Sequence, residues 1–263
     1  MTSSLNQMVY SEIISQELVL RGIRHLCHAD SDMAFVIIHG YFSSNKIGPH
    51  RLYVKIADYL AKHYGDCYRF DLSGMGESDG DICRIAFNDH VADVVNILSA
   101  ISKECKPENT IIIAHCIGCD LVLDALEHTG KIYREVIFLT PYFTNKEIIS
   151  RFFTQGEICE LNQQGYTFRK GLFSERSFFY DNTDIERFLR VLSQGKNYFN
   201  ILAATDDQFI PHEFNEYIRN SSKNATFRYL EGADHNFLTT QTELIDSISQ
   251  IISDANCSNF DNE

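Results

Sequence analysis

The chain lacks any run of about 18 consecutive apolar residues, the length a helix needs to cross a bilayer, which excludes a helical membrane span. Its opening residues, Met1-Thr2-Ser3-Ser4-Leu5-Asn6-Gln7, lack the basic and apolar regions of a secretory signal. A cytoplasmic protein is therefore expected. Positive charge is also short: 23 Lys and Arg face 36 Asp and Glu, for a net charge of −13. Nucleic acid and anionic membranes need cations against their phosphates, so neither is expected as a partner. No internal repeat or low-complexity tract stands out. The eight cysteines form no disulfide framework: Cys27, Cys67, Cys83, Cys105, Cys159 and Cys257 are scattered, and 263 residues bury a core without staples. No second ligand pair accompanies Cys116 and Cys119, so neither a metal nor a cofactor is expected.

What is present centres on Ala114-His115-Cys116-Ile117-Gly118, which reads as a nucleophile elbow of G-x-S-x-G type with cysteine in place of serine. An apolar run, Thr110-Ile111-Ile112-Ile113, precedes it, and Cys119-Asp120-Leu121-Val122-Leu123-Asp124-Ala125-Leu126 follows with helical apolar spacing. Strand, sharp turn and helix are the context an elbow requires. Small neighbours are needed because the nucleophile's backbone is strained; Gly118 meets this, and Ala114 departs only slightly from glycine. His115 is expected to support the elbow and point away from the chemistry.

An elbow needs an acid and a base further along the chain. Tyr198-Phe199-Asn200-Ile201-Leu202-Ala203-Ala204 reads as a buried strand, and the loop after it, Thr205-Asp206-Asp207-Gln208-Phe209-Ile210-Pro211, holds a D-x-x-[VI]-P pattern. Asp207 is the candidate acid, with Asp206 as its neighbouring alternative. A further strand over 225–230 leads into Glu231-Gly232-Ala233-Asp234-His235-Asn236-Phe237, a turn able to present His235 as the base.

These motifs together resemble the α/β-hydrolase superfamily, nearest the branch of monoacylglycerol lipases, cinnamoyl esterases and serine-aminopeptidase-like hydrolases. Phe35-Val36-Ile37-Ile38-His39-Gly40-Tyr41-Phe42 resembles that family's third strand and H-G loop, followed by a helix over about 50–62. Tyr68-Arg69-Phe70-Asp71-Leu72-Ser73-Gly74-Met75-Gly76-Glu77-Ser78-Asp79-Gly80 resembles its R-x-D-x-x-G-x-G-x-S-x-G stretch. The resemblance implies an α/β fold, a mostly parallel central sheet flanked by helices with a helical lid insert. It also implies an oxyanion hole from the backbone N–H groups of Tyr41 and Ile117. The core is expected in 1–141 and 197–263, with the lid in 142–196. Strands at 9–14, 18–27 and 136–139, helices at 87–102 and 243–252, and a frayed polar tail over 254–263 complete the reading.

The insert is rich in aromatics, and its short helical stretches are expected to be separated by Gly156, Gly165 and Gly171. Phe143, Phe173 and Phe178 are the candidates for an apolar or aromatic acyl pocket. A thiolate is the reactive form of cysteine, and a helix start with a histidine close by favours it. The expected enzyme is therefore an ester or thioester hydrolase with a Cys116–His235–Asp207 triad and an acyl-cysteine intermediate. Because a thioester is an activated acyl group, acyl transfer or cyclisation stands beside hydrolysis. A carrier-protein thioesterase is one version, with Arg169 and Lys170 in a docking patch for an acyl carrier protein. Two readings of other classes remain: a non-catalytic hydrolase-fold binding protein, and a redox dithiol at Cys116-Ile117-Gly118-Cys119.

Overall fold

The predicted buried strands are apolar at nearly every position because the sheet they form is covered on both faces. The computed structural model describes residues 7–27, 31–41, 45–142, 146–169, 172–180, 185–222 and 224–257. Its strands, in chain order, are β1 (Met8–Ser15), β2 (Leu18–His25), β3 (Ala34–Ile38), β4 (Asp66–Phe70), β5 (Thr110–His115), β6 (Glu135–Leu139), β7 (Tyr166–Arg169), β8 (Leu172–Glu175), β9 (Phe199–Ala204) and β10 (Ala225–Leu230). The helices are α1 (Leu52–His63), α2 (Phe87–Ile101), α3 (Gly118–Thr129), α4 (Lys146–Phe152), α5 (Gln155–Gln164), α6 (Arg176–Tyr180), α7 (Ile185–Gln194), α8 (His212–Ser221) and α9 (Gln241–Cys257). Eight strands form one sheet in the order β1-β2-β4-β3-β5-β6-β9-β10. β2 pairs antiparallel with β1 and β4, and the pairs from β4 across to β10 are parallel.

Successive side chains on a strand point to opposite faces, and this alternation sorts the core into two layers. Phe35, Ile37, Ile111, Ile113, Leu139 and Leu202 pack with Leu52 and Ile56 of α1 and Leu244 and Ile248 of α9. Val36, Ile38, Ile112, Ala114, Phe138 and Ile201 pack on the other face with α2, α3 and aromatics of the insertion between β6 and β9. Because β3, β5, β6, β9 and β10 run parallel, the loops after them emerge at one edge of the sheet. Open α/β sheets carry their ligands at this carboxyl edge.

Three expectations change. The insertion is not wholly helical, since β7 and β8 form an antiparallel hairpin inside it, although Gly165 does end α5 as its left-handed C-cap. Gly156 lies within α5, where Thr154 and Glu157 form a reciprocal capping box that starts the helix just before the glycine. The chain past 253 is not all frayed, because α9 continues to Cys257; Asp254 accepts from Gln250 at 2.7 Å and pairs with Arg228 of β10 at 2.9 Å. β3 ends at Ile38, and His39-Gly40-Tyr41 follows it as the loop that turns toward the site. Phe42, Phe143, Lys170 and Gly171 lie outside the described residues.

Candidate active site

Cys116 stands between β5 and α3 with φ of 55°, a left-handed conformation unfavourable for a residue with a Cβ. Its N–H donates to Leu139 O at 3.0 Å, and its carbonyl accepts from Cys119 N at 3.0 Å and Tyr142 N at 3.2 Å. These bonds hold the strained turn against the end of β6. Gly118 is required by close approach: a Cβ there would lie 2.6 Å from His39 O and 3.0 Å from Ile38 O. The elbow and the H-G loop after β3 are therefore in backbone contact. Ile117 precedes α3 as its N-cap, where main-chain N–H groups have no partner inside the helix.

The structure brings Cys116, Asp207 and His235 together at the sheet edge. His235 is 3% exposed, and its Nδ1–H donates to Asp207 Oδ2 at 2.8 Å. The other oxygen of Asp207 accepts the N–H groups of Phe209 and Ile210 at 2.8 and 2.9 Å. Burial alone would raise the Asp207 pKa, but His235 and the two amides outweigh it and hold the carboxyl below its usual range. For His235, burial opposes the charged ring, yet Asp207 and Cys116 prevail and raise its pKa to about 10. Nε2 is buried and has no hydrogen-bond partner among the described residues, although the sulfur of Cys116 is close enough to contribute to that shift. Asp206, the alternative acid, is exposed and donates its N–H to Ala233 O at 2.9 Å.

A family model described as serine aminopeptidase, S33, matches residues 29–167 of this chain. The chain belongs to that family of α/β hydrolases. The match includes the elbow and ends before Asp207 and His235, and this hydrolase carries Cys116 where the family's name implies serine. A sequence search finds no curated protein that matches. Among solved structures, it is similar to Est1E from Butyrivibrio proteoclasticus with ferulic acid bound, at TM-score 0.74 and 13% identity over 94% of this chain and 99% of that one. It is also similar to mouse alpha/beta hydrolase domain-containing protein 10, at TM-score 0.69 and 18% identity over 94% and 99% of the two chains. GrgF from Penicillium sp. sh18 gives 0.71 and 16% over 95% and 97%. At such identities the structural likenesses establish the fold.

Around Cys116 of this S33-family hydrolase, the insertion supplies aromatic rings. Phe178 is 1% exposed, with its ring centroid 4.5 Å from that of Tyr41. Phe173 differs from expectation: its ring stacks with Tyr166 and meets Phe168 on the β7–β8 hairpin, while its carbonyl accepts from Tyr41 Oη at 2.9 Å. The rings on the catalytic histidine candidate are Phe152 and Phe209, edge-to-face with His235 at 5.8 and 5.1 Å and stacked on each other at 4.4 Å. Sequence reading missed this pair, although Phe209 stands inside the D-x-x-[VI]-P motif. Arg169 does not present a free docking charge. It is bound to Glu157 at 2.9 Å and lies over the Phe153 ring at 5.6 Å.

The C-x-x-C pair is split by the fold. Cys119 is fully buried and donates to Ala114 O at 3.3 Å, on the sheet side of α3. Burial, then Asp120 and Cys116, push its pKa well up, so it is a poor redox partner. The seven cysteines whose side chains the structure describes are free thiols. One turn beyond Cys116, Asp120 is fully buried, and neither of its oxygens has a hydrogen-bond partner among the described residues. Burial, then Asp124 and Cys116, raise its pKa well above normal. The nearby Arg187 of α7 serves Asp124 and Glu127 instead. Two cavities, of about 300 Å³ between the ends of α3 and α7 and about 410 Å³ at the starts of β6, β9 and β10, are not lined by Cys116, Asp207 or His235.

Proposed function

We propose that this protein cleaves an ester or thioester of an apolar or aromatic acyl group through an acyl intermediate on Cys116. One observation carries the reading. The buried His235 ring is fixed by Asp207 at Nδ1 and leaves Nε2 to the Cys116 sulfur, its pKa raised to about 10 by those two groups. A raised pKa keeps the ring protonated at neutral pH, with Nε2 on the side of the sulfur. The thiolate attacks the acyl carbonyl carbon, and the carbonyl π electrons move to oxygen. The N–H groups of Ile117 and Tyr41 are the proposed donors to that oxyanion. Its collapse expels the leaving alkoxide or thiolate, which takes the Nε2 proton and leaves a thioester on Cys116. Neutral His235 then accepts a proton from water as the water oxygen attacks the thioester, and expulsion of the thiolate restores the ion pair.

The insertion over residues 142–196 acts as a lid in this reading. Phe152, Phe178 and Phe179 are each at most 3% exposed, and they give the acyl group apolar surroundings and exclude water. An amine, alcohol or carbanion acceptor in place of water would make the same intermediate serve acyl transfer. A cytoplasmic setting agrees with the free thiols.

Intact-protein mass spectrometry after brief incubation with a panel of acyl esters and thioesters tests the proposal. A transient acyl mass mapped to Cys116, lost in water, supports hydrolysis; faster loss with an added amine favours transfer. No adduct and no turnover across the panel would overturn it in favour of a non-catalytic binding protein.

A further inference from the structure

We infer that Tyr53 and His115 are positioning residues, which fix the main chain of His235 through one hydrogen-bonded strut of fixed direction. This rests on the reading of His235 as the base for Cys116. Four contacts define the strut. His235 O is met by His115 Nε2 at 2.9 Å and by Thr140 Oγ1 at 3.2 Å. His115 Nδ1 lies 2.7 Å from Tyr53 Oη, which in turn accepts the Gly40 N–H over a longer 3.5 Å. Tyr53 and His115 are 0% and 2% exposed, so water does not replace these partners.

The ends of the strut dictate every proton within it. A carbonyl only accepts, so Nε2 of His115 must carry the hydrogen toward His235 O. A neutral ring protonated at Nε2 has a lone pair at Nδ1, which takes the Tyr53 hydroxyl hydrogen. The hydroxyl oxygen is then left to accept from Gly40 N–H. A protonated His115 would face Tyr53 with a second N–H and break the sequence. Burial, followed by the charge on His235, lowers the His115 pKa to about 3 and excludes that form at working pH.

Geometry gives the strut a catalytic consequence. Asp207 sets the rotation of the His235 ring, but it does not place the chain that carries it. Only a loop between β10 and α9 carries His235, with φ of 53° at Phe237. The donors to its carbonyl come from His115, adjacent to Cys116, and from Thr140, adjacent to Leu139, whose carbonyl takes the Cys116 N–H at 3.0 Å. Nucleophile and base are thereby referenced to the same two strand ends. At the other end, the Tyr53 hydroxyl refers the His39–Gly40 peptide, one unit before the proposed oxyanion donor at Tyr41 N–H, to the same elbow.

The test uses Tyr53→Phe, His115→Gln, which can supply a donor near the Nε2 position, and His115→Leu, which has none. Turnover of p-nitrophenyl butyrate and the pH profile of Cys116 alkylation by iodoacetamide are measured, the latter by peptide mass. Expected for Tyr53→Phe is a kcat lower by about 5- to 30-fold with KM within about two-fold, as loss of the buried hydroxyl with its strong bond to His115 and its longer one from Gly40 suggests. Its alkylation profile shifts to higher pH, because a less well placed imidazolium pairs more weakly with the thiolate. His115→Leu falls further, and His115→Gln recovers part of that loss. Tyr59→Phe is the structural control, since its hydroxyl meets Ser249 of α9 at 3.1 Å; it lowers thermal stability without moving the profile. Should His115→Leu fail to fold, Tyr53→Phe and His115→Gln decide. Wild-type kcat and profile in a folded Tyr53→Phe would overturn the positioning role alone, provided His235→Gln does move the profile. If His235→Gln leaves the profile unchanged, the triad reading falls and the strut's role falls with it.

Discussion

Gly118→Ala is the substitution whose effect the geometry fixes most closely. The added methyl would lie 2.6 Å from His39 O, 3.0 Å from Ile38 O and 3.1 Å from His39 C, all backbone atoms of β3 and the loop after it. Ordinary contact begins near 3.4 Å, so α3 and β3 must separate by about 0.8 Å. Overpacking of this kind costs about 1–3 kcal/mol. With an unfolding entropy of about 2.1 cal/mol/K per residue, a 263-residue chain loses about 0.55 kcal/mol per degree, which gives a Tm drop of about 2–5 °C. The same separation moves the Ile117 and Tyr41 N–H groups apart. A misplacement near 1 Å costs on the order of 10²-fold in rate, so acylation of Cys116 should fall by about that factor. Calorimetry and single-turnover acylation read the two effects. Gly156→Ala is the contrast: its methyl meets only Thr154 Oγ1 at 4.0 Å inside α5, and it should stabilise by about 0.5–1 kcal/mol with no change in rate. A Gly118→Ala protein with wild-type Tm and acylation rate would refute the reasoning.

Asp120→Asn should change how stability depends on pH. The folded pKa of Asp120 is raised, so its contribution is complete below about 3.9 and is lost as pH rises toward the folded value. Urea midpoints should therefore rise from pH 7 toward pH 4 more steeply in wild type than in Asp120→Asn; parallel curves would contradict this. His235 is likewise raised, to about 10, so its contribution is full below about 6.5 and lost as pH climbs through 10. The stability gap between wild type and His235→Gln should be constant at low pH and close between those values, and a gap that widens on the alkaline side would reverse the sign. Phe209→Ala removes the ring edge-to-face with His235 and stacked on Phe152, for a loss of about 2–3 kcal/mol, below the value for a fully buried ring because Phe209 is only partly buried. Chemical denaturation measures this, and a loss below about 1 kcal/mol would show that the pair does not pack the site.

Much of this protein was determined along the chain. The apolar β3, β5, β6 and β9 segments, the glycine after the cysteine and the order elbow, acid, histidine are local patterns, set by periodicity and by steric need at a turn. They mark Cys116, Asp207 and His235 as candidates, and the fold brings the three side chains together. Residues 166–175 were less legible, because Tyr166, Phe168 and Phe173 share a composition with the surrounding helices, and Gly171 in the sequence reads equally as a break between helices and as a hairpin turn, a choice the pairing of β7 with β8 decides. Only the tertiary structure brought Tyr53 of α1 to His115 and set Phe209 against Phe152, since each pair joins elements distant in sequence. It also decided the two cysteines of C-x-x-C: one turn of helix leaves Cys116 at the carboxyl edge of the sheet and sends Cys119 into the core against it, where burial rather than sequence spacing sets its chemistry.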